Sequence, residues 1–242
     1  MIKKKKVLCI IPARKGSKGL KNKNLKKLNK FSLIDWAIKC ALGSKHIDDI
    51  ILSTDYEYSK LSKLSQKYYK KRNKILAKDN SLSFDVIKKI LIDKINENIY
   101  YDIIVLLEPP APFRNSILVD KCIKMLQSNN ASSVVTLKKI DDYHPIRVKK
   151  FINKNQIADF VLSEPSKGLP RQKQENAFIR DTSVYVFKTS NFLDGNNLLY
   201  GKKKLGIHNK NQYSINIDNE LDFYLAELIL KKKLISKTEL PI

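Results

Sequence analysis

Four short stretches dominated by apolar residues mark the first part of the chain: VLCII at 7–11, DIILST at 49–54, YDIIVLL at 101–107 and SSVVTL at 132–137. Apolarity that continuous over so few residues predicts strands covered on both faces, as in a parallel sheet. Between them apolar positions recur every three to four residues, in SLIDWAIKCAL from Ser32, EYSKLSKLSQKYY from Glu57, SFDVIKKILIDKI from Ser83 and SILVDKCIKML from Ser116. That period predicts helices, and strands alternating with helices predict βαβ units: a mostly parallel sheet with helices on both faces. The rhythm breaks over residues 139–180, where DDYHP, RVKKFINKNQIADFVL and EPSKGLPRQKQ mix Pro, Gly and irregular polar spacing. This segment is expected to be an insertion of short strands and loops, serving as a lid or a dimerisation arm. TSVYVFK (182–188) then resumes a strand, YSINID (213–218) a short one, and ELDFYLAELILKKK from Glu220 a closing helix whose terminal lysines suit the negative end of its dipole. The predicted organisation is one α/β domain made of residues 1–138 and 181–242, with 139–180 inserted into it.

Ligands of such folds lie at the carboxyl ends of the strands, which directs attention to the loop after the first one. ARKGSKGLKNKN, residues 13–24, has the ingredients of a phosphate cradle: glycines for close backbone approach, Ser17 as a donor, and Arg14, Lys18 and Lys23 as cations. It is neither a Walker A loop nor a G-x-G-x-x-G fingerprint, and on pattern alone a basic, solvated loop is the competing reading. EPPAPFR (108–114) leaves another predicted strand end. SINIDNELD sets Asn216 and Asp218 two apart, so that on a strand both side chains leave one face, a pair of hard oxygen ligands suited to Mg²⁺. Helix capping by Asn219 and Asp222 competes, but leaves Asp218 free. Arg171 and Arg180 lie nine apart in GLPRQKQENAFIRD, able to grip a triphosphate or carboxylate by bidentate contacts, or simply solvated.

Composition changes this picture little. The formal net charge of +23 over 242 residues suggests an anionic partner, but the cations are nearly all lysines in a chain also rich in Ile and Asn, the mixture that AT-rich coding sequence produces. A nucleic-acid-binding module would concentrate its lysines on one face with interleaved aromatics, whereas here they are dispersed over nearly every predicted helix. The arginines, at 14, 72, 114, 147, 171 and 180, are the more informative cations. Cys9, Cys40 and Cys122 lack metal-ligand or disulfide spacing and read as buried thiols of a reducing compartment. His46, His144 and His208 have no paired spacing, no G-x-S-x-G element supports a serine hydrolase, and no apolar run reaches membrane-spanning length. The apolar part of MIKKKKVLCIIPARKG is too short for a signal peptide, so a soluble, cytoplasmic protein without membrane or nucleic-acid partners is expected.

Taken in order, four stretches resemble the cytidylyltransferases that make CMP-activated acidic sugars, the CMP-sialic acid synthetase family. IPARKGSKGLKNKN is similar to the family's nucleotide-binding signature and LLEPPAPFR to its LLQPTSPLR segment. LPRQKQENAFIRDTSVYVF is similar to its arginine-bearing segment, and SINIDNELD to its DIDTELD. The resemblance covers nearly the whole chain. It implies a Rossmann-like three-layer nucleotidyltransferase with a small arm exchanged across a homodimer, CTP and an acidic 2-keto sugar as substrates, Mg²⁺ as cofactor, and release of pyrophosphate. Carried over by position, Arg14 and Lys23 would contact the CTP phosphates, and Ala13 and Asn24 the nucleotide, with Ser17 and Lys18 assisting. Glu108 would approach the sugar acid, Arg171 and Arg180 the sugar acid or the phosphates, and Asp218 with Asn216 would hold Mg²⁺. Arg14, Lys23 and Asp218 would thus carry catalysis by charge neutralisation and positioning. As general base, water, a metal-bound hydroxide and Asp218 all stay open.

Two positions depart from the family pattern. Asn216 replaces the first acid of the DID pair, and Glu108 stands where sialic acid enzymes commonly have Gln. An ionised Glu only accepts hydrogen bonds and repels a sugar carboxylate, which suggests a nonulosonate other than N-acetylneuraminate, such as legionaminate or pseudaminate. CMP-Kdo synthetase shares the fold and chemistry and ranks second, because its first loop usually lacks the GSKG and KN elements present here. Other sugar nucleotidyltransferases rank third.

Overall fold

The structure is a computed structural model that describes residues 5–17, 19–78, 80–140, 142–195, 197–236 and 240. β1 (Val7–Ala13) runs into a loop and a small ribbon, β2 (Lys27–Leu28) with β3 (Phe31–Ser32), before α1 (Leu33–Leu42). Next come β4 (Asp49–Thr54), the single turn α2 (Lys63–Gln66), β5 (Tyr69–Lys71), α3 (Ser83–Asn96), β6 (Ile103–Leu106), α4 (Ser116–Ser128) and β7 (Ser133–Lys139). A second ribbon, β8 (Lys149–Phe151) with β9 (Ile157–Asp159), stands in the expected insertion. The chain ends its regular structure with β10 (Phe178–Lys188), α5 (Ser190–Leu193), β11 (Lys204–His208) and α6 (Glu220–Lys231). Seven strands form one sheet in the order β11-β7-β10-β6-β1-β4-β5, and β10 alone runs antiparallel to its neighbours. The mostly parallel sheet expected from the sequence is therefore present.

The strand at its centre shows why the layers are three. Val7, Cys9, Ile11 and Ala13 of β1 face one cluster, which includes Ile34, Ala37 and Ile38 of α1 and Val119, Cys122 and Ile123 of α4. Leu8 and Ile10 face the opposite cluster, with Val86, Ile87 and Ile90 of α3. All six of these β1 residues are buried, so the VLCII run satisfies both faces at once. α1 starts where a capping box forms: Ser32 accepts from Asp35 N at 3.1 Å, and Asp35 Oδ2 accepts from Ser32 N at 3.3 Å. Asp35 also accepts from Ser62 and Ser65 hydroxyls at 2.5 and 2.6 Å, which pins α2 against α1.

Three expectations need correction. The helix expected from Glu57 is broken into a 3₁₀ turn (Tyr58–Lys60), the short α2 and the strand β5. Ser62 caps a new helix start, and Tyr68 O accepts from Leu52 N at 2.7 Å, so sheet pairing captures this segment instead. Residues 213–218 form no strand of the described sheets, because Tyr213, Ile215 and Ile217 turn their apolar alternation onto the cluster under α6, with Trp36 and Phe113. The edge they might have filled is taken by β11, which the sequence reading did not contain. Finally, β10 begins at Phe178, paired with Lys139, so the sheet reaches into the range expected for the arm. The arm carries Tyr143, Phe151, Ile152, Ile157, Phe160 and Val161 exposed to solvent. Cys9, Cys40 and Cys122 are free and buried, and burial pushes the Cys40 and Cys122 thiols up to about 12.

Candidate active site

A cleft of about 490 Å³ opens over the carboxyl ends of β1 and β6, the size expected for a small-molecule site. Four segments remote in sequence line it: Arg14, Ser17, Gly19, Lys23 and Asn24 after β1; Arg72 after β5; Glu108 and Pro110 after β6; Asn216 and Asp218 before α6. Ser81, Ser83 and Val86 complete the α3 side.

The first loop is shaped by two local features. Asn22 takes the left-handed conformation (φ 53°) and starts the 3₁₀ turn Lys23–Leu25, which reverses the chain toward the sheet. Gly19 passes so close to the other wall that a Cβ there would lie 2.3 Å from the Asp218 carbonyl oxygen. The same two walls are joined by charge, since Lys23 Nζ donates to Asp218 Oδ1 at 2.8 Å. Asn24 is buried and its Nδ2 donates to Arg14 O at 3.0 Å, while its Oδ1 has no hydrogen-bond partner among the described residues. An unmatched buried acceptor is rare in a finished fold and marks a wall where a ligand can supply the donor.

The second wall is stiffened from beneath. Arg114 is 1% exposed and its guanidinium donates to Ala111 O at 2.6 Å, to Ser183 O at 2.8 Å and to Glu108 O. It is a structural clamp on the EPPAPFR turn, and Ile217 N donating to Pro110 O at 2.9 Å ties the 216–218 stretch to that same turn. Asp218 N and Asn219 N both donate to Asp222 Oδ2, at 2.8 and 3.1 Å, so the cap of α6 and the Asp218 side chain coexist. Asn216 Oδ1 accepts from Thr182 Oγ1 at 3.2 Å. Thr182 sits at φ 59° in the bulge where the β10 register shifts, beside a buried Asp181 that accepts from Thr136, Ser183 and Asn209.

The residues expected at the site thus divide. Arg14, Ser17, Lys23, Asn24, Glu108, Asn216 and Asp218 line one cleft. Ala13 is buried at the end of β1, its carbonyl accepting from Thr54 Oγ1, and lies behind the cleft wall. Arg180 lies outside the lining, with its guanidinium over the Tyr200 ring (5.4 Å) and donating to the Tyr200 hydroxyl. Arg171 occupies a 3₁₀ turn of the arm, 3.5 Å from Asp142, and is also outside the lining. Lys18 lies outside the described residues.

Arg72 is the lining residue that sequence reasoning missed. It is 8% exposed, donates to Ser53 O at 2.9 Å, and burial works against its charge. Its scarcity as an arginine was the available signal; the misread helix at 57–69 hid the strand whose end presents it.

Asn216 and Asp218 fit a magnesium ion in donor chemistry. Asn216 Nδ2 donates to Asp218 Oδ2 at 2.5 Å, and rotating the carboxamide places a second hard oxygen beside the carboxylate. Two protein oxygens match the few that Mg²⁺ takes when substrate phosphates and water complete its shell. Among the described residues no group of three or more His, Cys, Asp or Glu side chains is placed to hold a metal.

Residues 8–222 match the sequence profile of the family described as cytidylyltransferase. The chain is 30% identical over 236 residues to a post-translational flagellin modification protein B of Campylobacter coli, covering 94% of this chain and 96% of that one. It is 29% identical to the CMP-N,N'-diacetyllegionaminic acid synthase of Campylobacter jejuni, with 95% and 97% covered. It is 30% identical to the N-acylneuraminate cytidylyltransferase of Escherichia coli O18:K1:H7, of which it spans about half (54%), while 97% of this chain is covered. Among solved structures, a CMP:2-keto-3-deoxy-manno-octonic acid synthetase complexed with CTP superposes with a TM-score of 0.67 at 13% identity, covering 94% of this chain and 99% of that one, a likeness of fold.

Proposed function

Because the chain belongs to the cytidylyltransferase family, we propose that it activates an acidic nine-carbon sugar of the sialic, legionaminic or pseudaminic type, converting CTP and the sugar acid to CMP-sugar and pyrophosphate. The observation that carries this reading is the joining of Arg14, Ser17, Lys23 and Asn24 to Asn216 and Asp218 across one cleft at the sheet's carboxyl edge. Nucleotidyl transfer asks the protein chiefly to place two reactants and neutralise the charge that grows on departing pyrophosphate. Arg14 and Lys23 neutralise that charge, Ser17 donates to phosphate, and Asn24 meets the nucleotide. Asp218 and Asn216 would hold Mg²⁺, which would supply further neutralisation of the phosphates.

Glu108 in place of Gln supports a legionaminate- or pseudaminate-type sugar over N-acetylneuraminate. The exposed apolar side chains of the arm support a homodimer, since Phe151 and Ile157 stand opposite each other in the β8–β9 pairing and Ile152 and Phe160 are exposed next to them, apolar surface that a second copy covers. Arg171, carried on that arm, then approaches a sugar site across the dimer, and Arg180 approaches it from β10. Among the described residues no helix is long and apolar enough to cross a membrane, in keeping with the cytoplasm, where CTP is available.

The test is pyrophosphate release from CTP and Mg²⁺ with N-acetylneuraminate, legionaminate, pseudaminate and Kdo. Release with legionaminate or pseudaminate is the expected result. Preference for N-acetylneuraminate would overturn the sugar assignment, and preference for Kdo would favour the eight-carbon alternative. Silence with all four, in a sample that binds CTP, would overturn the acidic-sugar reading.

A further inference from the structure

One charged side chain of the cleft has no structural task. Glu108 follows β6, and Leu107 N donates to Ile10 O at 3.1 Å, which sets Glu108 beside the exit of β1 into the Arg14 loop. Its backbone oxygen accepts from Arg114 and from Ala111 N, so the turn is fixed without its carboxylate. That carboxylate lines the cleft and makes no hydrogen bond or ion pair with any described residue. The other carboxylate of the lining is engaged: Asp218 accepts from Lys23 on Oδ1 and from Asn216 on Oδ2. Glu108 is half-buried, and an ionisable group that opens into a cleft without a partner is a candidate for work on a ligand.

Resting on the nucleotidyl-transfer reading, we propose that Glu108 is the general base, the group that accepts the proton of the sugar hydroxyl attacking the α-phosphorus. The hydroxyl oxygen forms the new bond to the α-phosphorus, and the bond from that phosphorus to the bridging oxygen of pyrophosphate breaks. The electron pair leaves with pyrophosphate, and the hydroxyl proton passes to a Glu108 carboxylate oxygen. Glu108 lines the same cleft as Arg14, Lys23 and Asp218, with Lys23 and Asp218 on the phosphate side and Arg180 acting on it from the side expected to meet the sugar.

The surroundings set the direction of its titration. Burial raises the Glu108 pKa above the ordinary value; Arg114 beneath the turn, Lys23 from the first loop and Arg180 from β10 draw it down, and Asp218 pushes it up. Tyr185 of β10 also feels the Glu108 charge, and is itself pushed up to about 12, chiefly by burial. A base with a raised pKa is lost at a higher pH than an exposed glutamate would be, so the rate falls on acidification through that pKa.

The experiment compares wild type, E108Q and E108A in pyrophosphate release across pH, with CTP affinity measured by calorimetry and folding by thermal melting. E108Q is expected to lower kcat by about a hundredfold or more, to lose the acid limb of the profile, and to bind CTP as the wild type does. Formate added to E108A is expected to restore part of the rate, an effect that lost packing would not show. E108Q with wild-type kcat and an unchanged acid limb, or with only KM for the sugar raised, would overturn the assignment. Silence of the wild type across the sugar panel would remove the reaction and the base with it; an active wild type beside an equally active E108Q would remove the base alone.

Discussion

At the scale of single residues, charge and its surroundings decide the chemistry. Arg14 stands at the mouth of the first loop and lines the cleft, and one preorganised donor to a growing negative charge contributes about 3 kcal/mol to a transition state. Arg14→Ala is expected to lower kcat for pyrophosphate release by roughly a hundredfold; near-normal turnover would remove Arg14 from the mechanism. Most such residues were legible in the sequence because they sit in motifs at strand ends: Lys23 and Asp218, 195 positions apart, were both expected at the site, and they meet as an ion pair. Arg114 was also visible in its motif, yet its role as a buried clamp was not, because spacing carries no information on which carbonyls a guanidinium will find. The orphaned acceptor of Asn24 was beyond sequence for the same reason.

At the scale of elements, the walls of the site are held by backbone. Gly19 faces the Asp218 carbonyl, and no side chain fits between them. Gly19→Ala is expected to push the two walls apart by about an ångström and lower kcat/KM by about a hundredfold, a loss read from pyrophosphate release while circular dichroism stays native. An alanine variant with wild-type kcat/KM would show that the close approach is not required. Strands buried on both faces were readable as apolar runs, and α1, α3 and α4 as helical periods, since burial on both sides leaves no ambiguity of phase. β5 and β11 were not, because both are short strands at the sheet's edges, where half-exposed Lys-containing sequences such as KLGIH carry little pattern. The 213–218 stretch had the alternation of a strand, but alternation reports which side is buried and not what buries it.

At the scale of the whole molecule, the arm is where surface and function separate. Phe151 and Phe160 are exposed by 74% and 60% in a chain with a net charge of +23, which otherwise opposes self-association. Replacing both with Asp is expected to convert the proposed dimer to a monomer by light scattering, with thermal stability within about 1 kcal/mol of wild type; a dimer that survives would place the interface elsewhere. The junction between Lys23 and Asp218 also orders events in time. The seventh sheet strand, β11, ends at His208, ten positions before Asp218, so a chain threaded that far has its strands and both helical layers in hand and still lacks one wall of the cleft. During synthesis from the amino terminus, assembly of the scaffold and onset of nucleotide chemistry are therefore separate steps, and a half-made protein on the ribosome has no complete centre with which to consume CTP.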